Sequence, residues 1–499
     1  MDTTLYASES AAAQLAAMEQ SLVQQFENAF PDPLAPKTVV INPSNTLDPE
    51  ILGKITGVHH YEERLLCMLL LLRKPRTNVI YLSSTPIDKV IIDYYLHLLP
   101  GITTRHARRR LTLLSCYDSS PRSLTEKILE RPRLIEKIKS YIPADHVGHL
   151  AGFNITPLEH ELSLRLNLPL YGCPASLNHL GTKSGSRQVF RRAGLLIPPG
   201  YENLKDMDEG LRALKALKRE FPELRKAVVK LNDGFSGEGN AIYSFEKAGF
   251  PEDEDLLRQN LKMVAPDLSY AVFSEKMKLM GVIVEAFVEG EIKTSPSVQC
   301  RINPLKQTVV ISTHDQLLGG ESGQVYLGAT FPANPGYATE IGKMGQKVAE
   351  TLCSEGVIGR FGIDFISVKE PRGWWKHYAI EINLRKGGTT HPYLMLKFLT
   401  DGYYDHHTGI YQMPNGQSRC YFATDALQSD AYKGLTPEDL IDIAICNNIQ
   451  YDATTQTGTM FHLLGALSEF GKLGMVCIGA TPERAEHLYR TTVEVLDRE

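Results

Sequence analysis

Short apolar segments alternate with helical patterns through the first 170 residues, and this alternation fixes the fold class there. Buried strands are predicted at residues 37–42, 77–84 and 111–116, with a further β-like stretch at 149–154. Strands separated by helices form parallel sheets, because each crossover connection carries a helix back across the sheet. We therefore predict a parallel α/β domain over residues 1–170.

Polar side chains follow one another on two predicted strands of the second half. Glu381 and Asn383 are two residues apart in the strand pattern of residues 378–384, so their side chains point to one face. A preceding strand pattern, residues 362–368, carries Asp364. Carboxylate and amide oxygens suit Mg²⁺, or Mn²⁺, which completes its shell with water and substrate phosphate. Asp364, Glu381 and Asn383 are thus a predicted metal site beside a phosphate-bearing substrate.

A glycine-rich loop upstream supports a phosphate-bearing substrate. The apolar strand pattern at residues 227–231 carries Lys230 and leads into the loop at 232–240. Glycines let backbone N–H groups approach a polyphosphate, although neither the Walker nor the G-x-G-x-x-G order is present. The candidate phosphate contacts in this loop are Gly234, Ser236, Gly237 and Gly239. An ordinary hairpin turn is the alternative, because Gly, Asn and Asp dominate turns.

Arg385 is the candidate for holding the reacting acid or the transferred phosphoryl group. It lies two residues beyond Asn383, on the metal-facing side if the strand continues. Its planar guanidinium matches a carboxylate or phosphate with two parallel hydrogen bonds. A salt bridge to a neighbouring acid is the open alternative. Arg360 and Arg301 are secondary candidates for the same role.

Residues 386–391 form a candidate substrate loop directly after the metal strand. Its proposed substrate contacts are Arg385, Gly387, Gly388, Thr389 and His391. A simple turn at the two glycines is the alternative. For His314, which follows an apolar strand pattern, a structural hydrogen bond is favoured over a role as general base.

The order of these elements resembles that of the ATP-grasp superfamily over residues 170–400. Thr182 can cap a helix that opens with Lys183, and the Lys230 strand, an apolar strand at 282–288 and the metal strand follow. The resemblance implies two α+β subdomains that grip ATP, with Lys183 and Lys230 on its phosphates. It further implies adenine contacts from Glu285, Ala286, Phe287 and Val288 and a ribose contact from Glu291.

A narrower resemblance extends over nearly the whole chain. Residues 54–66, 106–115, 312–320, 323–328 and 465–474 are similar to segments of peptide ligases related to the pheganomycin-type enzyme. This implies a pre-ATP-grasp domain at 1–170, an ATP-grasp domain at 171–400 with a lid at about 200–290, and a C-terminal α+β domain at 401–499. A homodimer is also implied by the resemblance.

The activity implied is an ATP-dependent carboxylate–amine ligase of specialised peptide or amino-acid-derived metabolite biosynthesis. It would join a small carboxylic acid to an amine or peptide through an acyl phosphate. One alternative is a biotin-carboxylase-like carboxylase, although the chain contains no A-M-K-M biotin attachment signature. The other is a nucleotide-binding scaffold without turnover.

Composition and simple sequence patterns narrow the range of binding partners and cellular locations expected for this protein. A net charge of −5 gives no basic footprint for nucleic acid. The longest apolar run, residues 65–72, is too short for a membrane span and is predicted to be a buried helix. The first residues lack a signal-peptide pattern, which favours a cytoplasmic protein. The scattered cysteines form no C-x-x-C pair, which indicates reduced thiols and no zinc site.

Overall fold

The computed structural model describes residues 9–47, 49–233, 239–265, 268–319 and 325–498. Their strands form a parallel sheet, an antiparallel lid sheet, a nine-stranded central sheet and a two-stranded hairpin. The protein is therefore an α/β protein, as the sequence predicts. Within the described residues, no helix combines the length and the apolar character needed to cross a membrane.

The N-terminal sheet is parallel throughout, with strand order β3-β2-β1-β4-β5. Its strands are β1 (Lys37–Asn42), β2 (Thr77–Ser83), β3 (Leu111–Ser115), β4 (Val147–Gly152) and β5 (Leu170–Tyr171). β1 is buried along its whole length because helices cover both faces of the sheet. The predicted parallel domain is confirmed.

Helices connect these strands and extend the domain at both ends. The α-helices are α1 (Glu9–Gln24), α2 (Pro49–Lys54), α3 (Lys89–His97), α4 (Thr104–Arg108), α5 (Leu124–Leu129), α6 (Pro132–Ser140) and α7 (Pro157–Leu166). A π-helical turn at Gln25–Ala29 continues α1, and 3₁₀ helices span Val58–Arg73 and Ala175–Gly181. The apolar run 65–72 lies in the first of these 3₁₀ helices and is buried, as predicted.

The lid is an antiparallel sheet of order β6-β10-β7-β8-β9. Its strands are β6 (Gly200–Leu204), β7 (Lys226–Leu231), β8 (Asn240–Ser244), β9 (Leu261–Met263) and β10 (Val282–Ala286). Helix α8 (Lys183–Arg192) precedes it, and α9 (Met207–Glu220), α10 (Phe245–Ala248), α11 (Glu254–Asn260) and α12 (Tyr270–Met280) lie between its strands. Leu214, Phe273 and Met277 are fully buried between helices and sheet.

The central sheet has the order β11-β15-β12-β13-β14-β19-β21-β20, with β16 on the free side of β15. Its strands are β11 (Lys293–Thr294), β12 (Pro296–Ile302), β13 (Thr308–Gly319), β14 (Val325–Phe331), β15 (Gly359–Lys369), β16 (Trp375–Asn383), β19 (Cys420–Gln428), β20 (Gly458–His462) and β21 (Lys472–Gly479). The hairpin comprises β17 (Tyr403–Asp405) and β18 (Ile410–Gln412). The helices that accompany the central sheet are α13 (Ala338–Ser354), α14 (Thr390–Thr400), α15 (Pro437–Cys446), α16 (Leu467–Phe470) and α17 (Pro482–Leu496), with 3₁₀ turns at Asp430–Tyr432 and Leu464–Ala466.

Helix α13 covers one face of the central sheet. Ile341, Val348 and Leu352 are fully buried in it, and each contributes roughly 1.5–3 kcal/mol through burial. Gly345 permits the close approach, because a Cβ there would lie 2.5 Å from Val298. With α13 on this face, alternate residues of β12 and β15 point to the opposite face and are available for a site.

The C-terminal strands continue the central sheet. β14 pairs with β19, which places Phe331 opposite Tyr421 with their rings stacked at 5.0 Å. The last hundred residues do contain the expected strands and helices, yet their strands lengthen the existing sheet instead of forming a sheet of their own. The predicted boundary at residue 400 therefore does not coincide with a break in the sheet, because backbone pairing between β14 and β19 crosses it.

Candidate active site

A cavity of about 960 Å³ opens between the lid and the central sheet. Its lining includes Arg64 of the N-terminal domain, Lys230 of the lid, Asp364 of the central sheet and Lys472 of β21. The volume is at the upper end of the range for small-molecule sites and can hold a nucleotide together with a second substrate. We refer to this cavity as the cleft.

The predicted metal residues meet in the cleft. β15 and β16 are antiparallel neighbours with Asp364 directly opposite Glu381 and Gly362 opposite Asn383. The Nδ2 of Asn383 donates to Asp364 Oδ2 at 2.9 Å, and Gln316 Nε2 donates to Asp364 Oδ1 at 2.7 Å. The pairing register thus brings two carboxylates and one amide to a single place, as the sequence predicts.

The charge at this place calls for a cation. Burial and, after it, the nearby Glu381 carboxylate raise the pKa of Asp364 to about 7. Lys183 Nζ contacts Glu381 Oε1 at 3.3 Å. A pair of half-buried acids with an amide oxygen beside it fits a hard divalent cation such as Mg²⁺.

Two cationic side chains flank the metal residues. Thr182 caps α8 by accepting from the Gly185 N–H at 3.1 Å, so Lys183 opens the helix as predicted. The backbone N–H of Lys183 donates to the carbonyl of Asn232 at 3.0 Å, just past the strand that carries Lys230. Both lysines line the cleft on the side of the lid.

The predicted adenine residues also line the cleft, as Glu285, Ala286, Phe287 and Val288 all do. The Glu285 carboxylate is held on both sides, by Lys230 Nζ at 2.5 Å and by Arg187 at 2.9 Å. Its side chain therefore joins the lid to α8, and the backbone of this segment remains for an adenine ring.

Part of the predicted ATP site is not among the described residues that line the cleft. Gly234, Ser236 and Gly237 lie outside the described residues. Gly239 is buried against Leu231, and it is not among the described residues that line the cleft. Glu291 is exposed and equally outside that lining, whereas Lys293 nearby belongs to it. A ribose contact from Glu291 therefore stays a prediction without support from its position.

Arg385 and the loop after it line the far part of the cleft. Arg385, Gly387, Gly388 and Thr389 all belong to its lining. Burial lowers the pKa of Arg385, although the neighbouring Glu381 opposes this shift. A Cβ on Gly388 would lie 2.7 Å from the Tyr326 ring, so this ring packs directly on the loop backbone.

Three other candidate substrate or catalytic residues are not among the described residues that line the cleft. Arg301 and Arg360 are paired opposite each other on β12 and β15, and neither is among the described residues that line the cleft. His391 is buried behind the substrate loop, where it contacts Asp425 and His462. The structure thus brings Arg385 to the metal residues but not these three.

His314 has a structural environment, as the sequence favours. It is fully buried, and its Nε2 lies 2.7 Å from the hydroxyl of Tyr421. Burial lowers its pKa to about 3.

Sequence reasoning missed several residues that complete the cleft. Arg64, Tyr326, Asp425 and Lys472 line it, and Lys472 Nζ donates to the Tyr61 hydroxyl at 2.5 Å across 411 residues of chain. The segments resembling peptide ligases include Arg64, Tyr326 and Lys472, so the resemblance marked these residues but did not assign them a function. Their separation in sequence hid their proximity.

Family models match two parts of the chain. The model described as "IQCH-like, ATP-grasp" matches residues 174–249 and 252–407, and the model described as "PGM1 C-terminal domain" matches residues 439–492. The first match spans the lid and the metal strands. The second lies in the strands and helices that follow the hairpin.

Similar proteins and structures agree with these matches. The chain is 29% identical over 455 residues to the L-propargylglycine–L-glutamate ligase of Streptantibioticus cattleyicolor, covering 89% of this chain and 91% of the ligase. It is 21% identical over 481 residues to the IQ motif-containing protein H of Danio rerio, covering 86% of this chain and 45% of that protein. A biotin carboxylase–β,γ-ATP complex from Campylobacter jejuni superposes with a TM-score of 0.55 at 14% identity, covering 92% and 91% of the two chains.

Proposed function

We propose that this chain, which has the ATP-grasp fold, is an ATP-dependent ligase that joins a carboxylic acid to an amine. The observation that carries this proposal is the meeting of Lys183, Lys230 and the Asp364–Glu381 pair in one cleft that continues to Arg385. The two lysines and the two acids suit a nucleoside triphosphate with a bound metal ion. Arg385 suits a carboxylic acid next to the terminal phosphate of that nucleotide.

A relative supports a proposal for the nature of the substrates. The similar ligase of Streptantibioticus is named for joining two amino acids, L-propargylglycine and L-glutamate. Because the likeness covers most of both chains, we propose an amino acid as the acid and an amino acid or short peptide as the amine. The proposal includes Mg²⁺ with Mn²⁺ as the alternative metal, a homodimer, a cytoplasmic location and no nucleic-acid partner.

The residues of the cleft have distinct roles in this reaction. Lys183 and Lys230 hold phosphate oxygens and offset their charge. Mg²⁺, when bound by Asp364, Glu381 and Asn383, would neutralise charge on the phosphates. Arg385 orients the acid so that its carboxylate oxygen can attack the γ-phosphorus while the bond to the β-phosphate oxygen breaks and ADP leaves.

The second step forms the amide. The amine nitrogen attacks the acyl carbon, the bond from that carbon to the phosphate oxygen breaks, and the nitrogen loses a proton to solvent. Between the two steps the acyl phosphate must be kept from water. The lid lies over the cleft at the side of Lys230 and can shield it.

The proposal is tested by incubating the protein with ATP, Mg²⁺ and a panel of amino acids and dipeptides. ADP release that depends on an amine, with a product mass equal to the two substrates minus water, is the expected result. ADP release that depends on bicarbonate would instead favour the carboxylase. Tight ATP binding without ADP release from any substrate would favour the scaffold.

Replacing Arg385 by alanine should lower kcat/KM for the acid by about 10- to 100-fold, the value of a charge-assisted hydrogen-bond pair. ADP release measured against acid concentration gives this number, and circular dichroism shows whether the variant folds. Arg301→Ala is the control, because Arg301 is also partly buried on the central sheet but outside the cleft. A larger loss in Arg301→Ala than in Arg385→Ala would contradict the assignment.

A further inference from the structure

Three side chains converge on one point behind the substrate loop. His391 Nε2 and His462 Nε2 are 3.0 Å apart, and Asp425 Oδ1 lies 3.0 Å from the first and 2.7 Å from the second. The two histidines are each 1% exposed. The three side chains come from three separate elements: His391 from α14, Asp425 from β19 and His462 from β20.

Hydrogen bonds alone do not account for this triangle. A neutral imidazole Nε2 either donates a proton or accepts one, and it cannot do both. At most two of the three edges can therefore contain a hydrogen bond. The Nδ1 atoms of His391 and His462 have no hydrogen-bond partner among the described residues, so each ring directs its one partnered nitrogen to the same point.

A cation at this point would give all three atoms a partner. Two imidazoles and one carboxylate are a common ligand set for Zn²⁺, at bond lengths of about 2.0–2.2 Å. Tetrahedral ligands at that distance lie about 3.3 Å apart, so shifts of a few tenths of an ångström in these side chains admit an ion. We propose that His391, Asp425 and His462 form a second metal site, for Zn²⁺, at the rim of the cleft.

The surrounding backbone is shaped to fit the triangle. His462 is paired with Gly474 of β21, and a Cβ at Gly474 would lie 2.2 Å from His462 Nε2. The pairing of β19 with β21 is irregular between Thr424 and Leu427, so Asp425 lies at a register shift within β19. The absent side chain and the irregular pairing both serve to bring the ligand atoms together.

The site adjoins the substrate region. Asp425 lines the cleft, and Arg64 lies 3.6 Å from its Oδ2, which leaves Oδ1 for the ion. His391 follows Thr389 and Thr390, and both of these line the cleft. An ion here would tie the end of the substrate loop to the C-terminal strands, and three protein ligands leave one position of a tetrahedron open.

The sequence could not show this site. Asp425 is 34 residues from His391 and 37 from His462, so no short spacing motif links them. The expectation of no zinc site rested on the spacing of the cysteines, and no cysteine belongs to this triangle. The proposal stands apart from the ligase reaction, because metal content is measured without any substrate.

The test is metal content together with the spectrum of cobalt. Protein purified without an affinity tag should contain one equivalent of Zn²⁺, and after chelation and addition of Co²⁺ it should show the intense visible bands of tetrahedral cobalt. Co²⁺ in the oxygen-rich site of Asp364 and Glu381 would give only weak bands. His391→Ala and His462→Ala should each abolish the intense bands, and Gly474→Ala should weaken Co²⁺ binding more than about tenfold.

His407→Ala is the matched control. His407 belongs to a second convergent set with Asp405 and His406, which is more exposed, and its loss should leave the intense bands unchanged. The proposal is overturned if wild-type protein binds neither Zn²⁺ nor Co²⁺ in this manner, or if His462→Ala retains the full signal. If the histidine variants do not fold, the metal content and cobalt spectrum of the wild type alone decide the question.

Discussion

Replacing Glu381 by alanine should reduce amine-dependent ADP formation by at least about 10³-fold. Glu381 faces Asp364 across the β15–β16 pair and contacts Lys183, so its loss removes a proposed metal ligand and a partner of the lysine proposed to hold phosphate. The side chain is part of the cleft and not of the hydrophobic core, so the fold should remain intact. ADP release and a thermal melt of the same preparation measure the two effects.

Glu355→Ala provides the comparison for this variant. Glu355 is also a glutamate with a cationic partner, Arg192 at 3.3 Å, but it lies at the C-terminal end of α13 on the surface. Its loss should change ADP formation by less than about twofold, since surface ion pairs contribute little. Near-normal turnover in Glu381→Ala would refute the metal assignment.

Replacing Arg187 by methionine should lower the free energy of unfolding by about 3–5 kcal/mol. Arg187 is 1% exposed and donates to Glu202 at 3.0 Å, to the carbonyl of Pro198 at 3.0 Å and to Glu285 at 2.9 Å. Methionine fills most of the volume, but it leaves the buried Glu285 carboxylate with Lys230 as its remaining ion-pair partner among the described residues. Urea denaturation monitored by circular dichroism gives the change.

Arg191 offers a matched control because it contacts the same acid, Glu202, from an exposed position. Its side chain is 47% exposed, so Arg191→Met should cost less than about 1 kcal/mol. Equal losses in the free energy of unfolding for the two arginine variants would show that the effect does not depend on the burial of Arg187.

The meeting of Asp364, Glu381 and Asn383 could be predicted because the pattern that places them is local. Glu381 and Asn383 share a strand face by the two-residue repeat, and Thr182 marks the start of the helix that opens with Lys183. These are short-range rules. The parallel domain followed from the same kind of pattern, since alternating strands and helices leave few topologies open.

The sequence could not predict which other charged residues line the cleft, because this depends on their position along a strand and on which strands pair. Arg301 shares its strand face with Ser297 and Gln299, which line the cleft, but it lies four residues from Ser297, or about 13 Å along β12. No local pattern shows where along a strand a cleft ends. Lys472 and Asp425 reach the cleft only because β19 and β21 join the central sheet, and that pairing leaves no mark in a single sequence.

The joining of β14 to β19 also determines how the protein can be divided. If the chain were cut after the hairpin β17–β18, β14 would become an edge strand, with a row of unpaired backbone N–H and C=O groups open to other chains. Fully buried residues of β21, such as Met475 and Val476, belong to the same core as Tyr421. We therefore expect that the central strands β11–β16 cannot be separated cleanly from the C-terminal strands, and that both should lose hydrogen-exchange protection together.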